Sequence, residues 1–488
     1  MFHYVAIVLA LLSGVFLVPI YLRYVGAESY GAWLATGGLL AWIAVLDPGL
    51  STVLQQRVGH FFGARDKDRL AATLAGGLAL SLVIAVIVLV AGRALRGPLI
   101  GYLDLPAAVL GDGIVAAYDL ALIATAIMTV AYGLGAANSG LQSSLSAGVI
   151  ANSATALSLG VTVWALQNKV GLLSLPLGLV SRAAILVLGH SVYLGWRIWK
   201  DNLALAWCYG EIAALARLSA VTFLGKGLLS VASSIDTVLV TRYLGGIAAT
   251  SFVMTKRGPD MARMILERPS AAISPSLTHL AGEDSPIAAR ALVTAVLRWT
   301  LRAAIWAGGA FLVLNETFVS LWVGRELFAG TWVSTVLAIN LTFAVVVTTL
   351  SNLSYALGDV ARNSLAVLAQ SVAAIVGFFL LIEPLGLFGA ACAWLTSNAA
   401  VSLWYYLGTI GKIVGMTGRD WRDLGRTLAF SVTGVCLASL PFFNWPVESL
   451  MSFLGAGIVH SAVFTLFLLA ASPTARLDCL ELFRRLRR

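Results

Sequence analysis

Long apolar runs, separated by short clusters of glycine, proline and charge, follow one another from one end of the chain to the other. About 20 consecutive apolar residues are enough to cross a bilayer as a helix, and inside hydrocarbon only a helix or a closed barrel satisfies its own backbone. The runs are solid rather than alternating, which selects helices. Fourteen spans are predicted, at about 2–22, 30–56, 70–92, 113–137, 144–166, 171–196, 215–241, 246–279, 289–313, 328–356, 363–382, 386–410, 426–443 and 450–471. The eighth is long and rich in charge, and Pro441 and Pro446 cut the thirteenth short. Residues 2–22 have no basic segment before them and end at Tyr21-Leu22-Arg23-Tyr24 rather than at small residues, so they read as a span and not as a cleaved signal.

The basic residues orient these spans. With the N-terminus inside, eighteen lysines and arginines fall in loops and tails on the inner side, including the terminal Arg484-Arg485-Leu486-Arg487-Arg488. Six fall outside: Arg23, Arg93, Arg96, Lys169, Arg242 and Arg325. This bias follows the positive-inside rule, and an even number of spans puts both termini in the cytoplasm.

Composition removes the soluble alternatives. Apolar side chains make up 59% of the 488 residues and charged ones only 11%, against about 25% charged in an ordinary globular domain. Cys208, Cys392, Cys436 and Cys479 form no paired motif, and the five histidines are dispersed, so neither a disulfide framework nor a zinc site is expected. No glycine-rich phosphate loop, nucleophile elbow or basic-aromatic run is present. The net charge of +9 therefore points to a membrane and not to nucleic acid.

The chain also repeats itself. Arg23-Tyr24-Val25-Gly26 returns as Arg242-Tyr243-Leu244-Gly245, and His60-Phe61-Phe62-Gly63 returns at the same offset of 219 as His279-Leu280-Ala281-Gly282. Gly171-Leu172-Leu173 is echoed by Gly386-Leu387-Phe388, 215 residues on. Six spans separate corresponding points, so the halves share one orientation, the parallel repeat of a two-lobed transporter. The predicted fold is an all-α polytopic membrane protein with six-helix lobes at 1–200 and 201–415. Two extra spans and a basic tail follow at 416–488.

Twelve charges fall where apolar residues are expected. The basic ones are Arg182, Lys226, Lys256, Arg257, Arg263, Arg268, Arg298 and Arg302; the acidic ones are Asp47, Asp236, Asp260 and Glu267. Each costs roughly 2.5 kcal/mol or more at the bilayer centre, so such groups face a bundle interior or a wet cavity. Lys256, Asp260, Arg263 and Glu267 fall on one helical stripe, and Arg298 and Arg302 lie one turn apart. Two readings stand. Lys226, Lys256, Arg257, Arg263, Arg298 and Arg302 line a cavity for an anion, with Asp260 and Glu267 tuning the charge, or the ions simply pair with one another. Arg182 reads as a snorkelling side chain. Asp47 and Asp236 are candidates for proton or sodium coupling, and no other cofactor is expected.

Arg23-Tyr24-Val25-Gly26, Tyr30-Gly31-Ala32-Trp33 and Leu46-Asp47-Pro48-Gly49-Leu50, with the basic segment through Arg69, resemble the first two spans of Wzx-type polysaccharide-biosynthesis flippases. These belong to the multidrug/oligosaccharidyl-lipid/polysaccharide exporter superfamily, and Pro48 stands where the family usually has leucine. The chain opens almost inside span one, without the family's short basic tail, as a start upstream of Met1 would explain. The resemblance implies a flippase of the bacterial inner membrane. It would carry an undecaprenyl-diphosphate-linked oligosaccharide outward for O-antigen, capsule or exopolysaccharide assembly, alongside glycosyltransferases and a polysaccharide polymerase. The alternatives are a multidrug or peptidoglycan-precursor exporter of the same superfamily, or a membrane-embedded polysaccharide polymerase or ligase. An enzyme of that last kind calls for a long outer loop with catalytic groups, and none is found.

Overall fold

The computed structural model describes residues 16–44, 48–111, 113–270, 273, 277, 286–443 and 447–478. These residues are helical almost throughout, with no strand among them. The helices are α1 (Phe16–Val25), α2 (Ala27–Ala44), α3 (Pro48–Gly63), α4 (Lys67–Leu103), α5 (Ala107–Gly111), α6 (Ile114–Gly140), α7 (Ser144–Gln167), α8 (Ser174–Lys200), α9 (Tyr209–Leu244), α10 (Gly246–Leu266), α11 (Pro286–Val323), α12 (Thr331–Ala356), α13 (Val360–Ser397), α14 (Trp404–Ile413), α15 (Gly418–Ser439) and α16 (Leu450–Ala471). Among the described residues, nine helical stretches are long and apolar enough to cross a membrane.

Local chemistry sets the ends. Pro48 and Pro286 open α3 and α11, where a missing N–H costs nothing. Asp66 caps α4 by accepting from the amide of Arg69, and reciprocal Thr417–Asp420 and Ser449–Ser452 boxes start α15 and α16. The predicted second span divides into α2 and α3, and Asp47, between them, lies outside the described residues. The predicted eighth span is interrupted: α10 ends at Leu266 with a turn at Glu267, and residues 268–270, 273 and 277 are helical again. The eleventh and twelfth predicted spans meet within α13, which is two helical segments separated by non-helical backbone at Gly386, where φ is +58° and ψ is −136°. Beyond it a π-helical turn, Asn398–Leu403, leads into α14.

The repeat is present in the backbone as a series of left-handed positions. Gly26 (φ +84°) and Gly245 (+87°) separate α1 from α2 and α9 from α10. Gly113 (+86°) and Gly330 (+99°) precede α6 and α12, and Gln142 (+61°) and Gly358 (+91°) follow the same helices. Gly171 (+70°) and Gly386 (+58°) open the next pair, and Asn202 (+48°) and Gly415 (+63°) close it. Five turns in one half thus return in order in the other, at offsets drifting from 219 to 213. The helices α15 and α16 lie beyond the series. The match to His60 at His279 lies outside the described residues.

By contacts the chain divides into two compact units, Met1–Thr250 and Ser251–Arg488. Helix α9 falls in the first because it packs on α2, α3 and α4. The first unit's core joins Leu54, Val58, Leu74, Ala137, Leu141 and Leu215. The second centres on Val293, Leu341, Val345, Leu350, Leu353 and Tyr406. In that unit α15 packs on α11, and α16 packs on both.

Candidate functional site

The charged stripe of α10 is built around a proline. Pro259 has no N–H and so leaves the carbonyl of Thr255 without its helical donor. The buried amide of Asn315, on α11, fills that place, donating to the Thr255 oxygen at 3.0 Å and to Ser334 Oγ at 2.9 Å. Beside this anchor the charges are mostly taken up along the helix. Lys256 Nζ is 4.0 Å from Asp260, and Arg263 Nε donates to Glu267 at 2.6 Å. Arg257 differs: its half-buried guanidinium has no ion pair among the described residues, and its Nε is enclosed without a partner. Asp236 is buried and accepts from the amide and hydroxyl of Thr237 at 2.7 and 3.2 Å. The side chain of Lys226 lies outside the described residues.

Arg298 and Arg302 meet acids that their spacing did not announce. Arg302 donates to Asp478 at 2.6 Å and to Thr474 at 3.0 Å, and Arg298 donates to the other oxygen of Asp478 at 3.2 Å. Asp423 lies 3.8 Å from Arg298. Helix α11 has 38 residues, about 57 Å at 1.5 Å per residue, far more than a hydrocarbon core of about 30 Å. The pair accordingly sits level with the start of α15 and the helical turn after α16, at one end of the bundle. Its guanidinium groups clamp the segment after α16 onto α11. Arg302 also borders a cleft of about 250 Å³ between α11 and α16, lined by Trp299, Trp306 and Phe464.

In the first unit a cavity of about 320 Å³ opens among α3, α6, α7 and α8. Its polar lining is Ser51, Gln55, Ser139, Arg182 and His190. Arg182, expected from the sequence to snorkel, borders this cavity instead, with no ion pair among the described residues and its Nε enclosed without a partner. His190 is held from behind: the amide of Asn138 donates to its carbonyl at 3.1 Å and lies 3.2 Å from Nδ1. Gly135 leaves the space this ring needs, since a Cβ there would lie 3.1 Å from Nε2. Among the described residues no carboxylate lines the cavity.

An uncharged network, unmarked by any unusual residue type, runs through the second unit. Gln370 donates to Asn398 at 2.7 Å, Asn398 donates to Asn340 at 2.9 Å, and Ser397 donates to the Gln370 carbonyl at 2.6 Å. Asn398 begins the π-helical turn, a feature that often marks function. Tyr406 donates to Asn363, and Tyr405 donates to Asp359 at 2.8 Å.

No protein-family model and no curated protein matches this sequence. Solved structures do match. The chain is similar to the lipid II flippase MurJ in an inward closed conformation, over 100% of this chain and 99% of that one, with TM-score 0.72 and 13% identity. It is similar to an inward-facing multidrug resistance MATE family transporter of the MOP superfamily, over 81% and 93% of the two chains, with TM-score 0.65 and 13% identity. A MOP superfamily transporter from Pyrococcus furiosus, whose binding pocket has reversed polarity, is similar over 85% and 95%, with TM-score 0.60 and 14% identity. At these identities the likeness is one of fold: the chain has the architecture of multi-pass MOP-superfamily transporters.

Proposed function

We propose that this protein is a flippase that moves an undecaprenyl-diphosphate-linked oligosaccharide across the bacterial inner membrane by alternating access, both termini being cytoplasmic. The observation that carries the reading is Arg182, a guanidinium with no ion pair among the described residues, on a cavity whose described lining holds no carboxylate. A guanidinium presents a planar fork that binds two phosphate oxygens at once, and a low-dielectric cleft of one sign concentrates ions of the other. In the second unit Arg257 would be a further cationic group for an anionic cargo, while Lys256 and Arg263, held by Asp260 and Glu267, keep the local charge balanced. Residues 1–200 and 201–415 would be the moving lobes, with 416–488 as an appendage. Asp47 and Asp236 would couple movement to a proton or sodium gradient, and the products would serve O-antigen, capsule or exopolysaccharide assembly.

A second reading, transport of a peptidoglycan precursor, is favoured by the full-length likeness to a lipid II flippase. Complementation separates the two. The gene is expected to rescue a strain lacking its O-antigen flippase and not one depleted of its lipid II flippase; the reverse pattern selects the second reading. Arg182→Gln should abolish rescue at unchanged membrane levels, and Arg182→Lys should restore part of it. Full rescue by Arg182→Gln would remove the cavity from the mechanism.

A further inference from the structure

The second unit carries an apolar groove of about 330 Å³ between α11, α12, α14 and α15. Leu297 and Leu301, Val346 and Leu350, and Leu403 and Leu407 form its walls. On α15 the lining residues Trp421, Leu424, Gly425 and Leu428 make one stripe. Trp421 to Leu428 spans about 10 Å of helix and Thr342 to Leu350 about 12 Å, less than the roughly 15 Å of hydrocarbon in one leaflet.

The rim is cationic, and its acids are already occupied. Asp420 closes the Thr417 capping box and lies 3.8 Å from Arg290, while Asp423 lies 3.8 Å from Arg298. Arg422, three positions before Gly425, lies next to the stripe on the helix surface, and Arg426 follows it by one turn. Both are exposed, and neither has an ion pair among the described residues. Arg419, a turn earlier, is likewise exposed and without an ion pair.

We infer that this groove holds one acyl chain of an anionic diacyl phospholipid from the leaflet on that side, with its phosphate on Arg422 and Arg426. A volume of this size is too small for a helix, and a second copy of the chain would bring like charges to the rim. A long polyprenyl chain would overrun a groove confined to part of one leaflet. Basic groups beside a membrane attract anionic headgroups, and the apolar walls fix the chain. This site is independent of the transport reading.

The test is native mass spectrometry of the purified full-length protein with phosphatidylglycerol and phosphatidylcholine of matched chains. The wild type should retain the anionic lipid at least about tenfold better, from the two arginines at the rim. Arg422→Gln with Arg426→Gln should erase that preference. Gly425→Leu should reduce retention of both lipids about tenfold without lowering thermal stability, since a Cβ at Gly425 meets nothing within 4 Å and leucine favours a helix over glycine. An unchanged preference in the double variant, or unchanged retention in Gly425→Leu, overturns the inference. So does displacement of phosphatidylglycerol by equimolar undecaprenyl phosphate, which would make the occupant a carrier lipid. Displacement by free glycerol phosphate would leave only an anion site.

Discussion

Gly31 and Gly246 touch backbone to backbone where α2 meets the first turn of α10. A Cβ on Gly31 would lie 1.9 Å from the Gly246 carbonyl oxygen, and one on Gly246 would lie 2.5 Å from the Glu28 oxygen. Thr250 seals the contact by donating to the Ala27 carbonyl at 2.6 Å. Gly31→Ala should force the helices apart and destabilise by at least about 1–3 kcal/mol, the usual range for overpacking, because the obstacle is backbone and cannot rotate away. Gly97→Ala is the matched control, with nothing within 4 Å of its Cβ. Thermal unfolding in detergent should fall for the first and hold or rise for the second.

That contact shows what the sequence disclosed and what it hid. Tyr30-Gly31-Ala32-Trp33 stood out only as a resemblance to a flippase motif, and its glycine serves close packing. The spans were legible because hydrocarbon demands about 20 apolar residues at each crossing. The repeat was legible because Arg-Tyr-x-Gly marks a turn that needs positive φ. Partners were not legible. Asp478 looked like tail, since nothing in its neighbours says that the chain turns back onto α11. Asn315 fell just beyond the predicted ninth span, where nothing marked it as the partner of Pro259 on another helix. Arg182 read as a snorkelling side chain because a single cation in an apolar run looks the same whether it faces lipid or a cavity.

The amide network of the second unit should be costly to interrupt. Asn398→Leu removes the acceptor of the buried Gln370 and the donor to the half-buried Asn340 together. Orphaned buried amides cost about 1–3 kcal/mol each, so thermal stability should drop clearly. Asn398→Gln, which retains both functions on a longer arm, should recover part of the loss. A leucine variant as stable as the wild type would show that the network carries no structural weight.

His460 offers the opposite case. It is fully buried on α16, and neither ring nitrogen has a hydrogen-bond partner among the described residues. A polar group enclosed without partners carries a desolvation cost that an apolar side chain of similar shape avoids. His460→Phe should therefore match or exceed wild-type thermal stability. A clear loss would reveal a partner for the ring, such as an ordered water.

The clamp between α11 and the segment after α16 distinguishes a structural from a cargo-binding role for its arginines. Arg302 is 6% exposed, and the Asp478 side chain 11%, so removing one partner strands a buried charge, a change that typically costs 3–5 kcal/mol. Asp478→Asn should be the more damaging single change, because it leaves Arg298 and Arg302 one turn apart with Asp423, 3.8 Å from Arg298, as the one remaining ion-pair partner among the described residues. Arg302→Met strands one carboxylate that still accepts from Arg298. Combining Arg302→Met with Asp478→Asn should cost less than the two single changes added, by about 2 kcal/mol or more if the pair couples as buried partners do. Thermal unfolding of the four proteins measures that difference directly. Strict additivity would mean that the contact contributes little. If Arg302→Met instead kept full stability but lost transport, Arg302 would be acting on cargo.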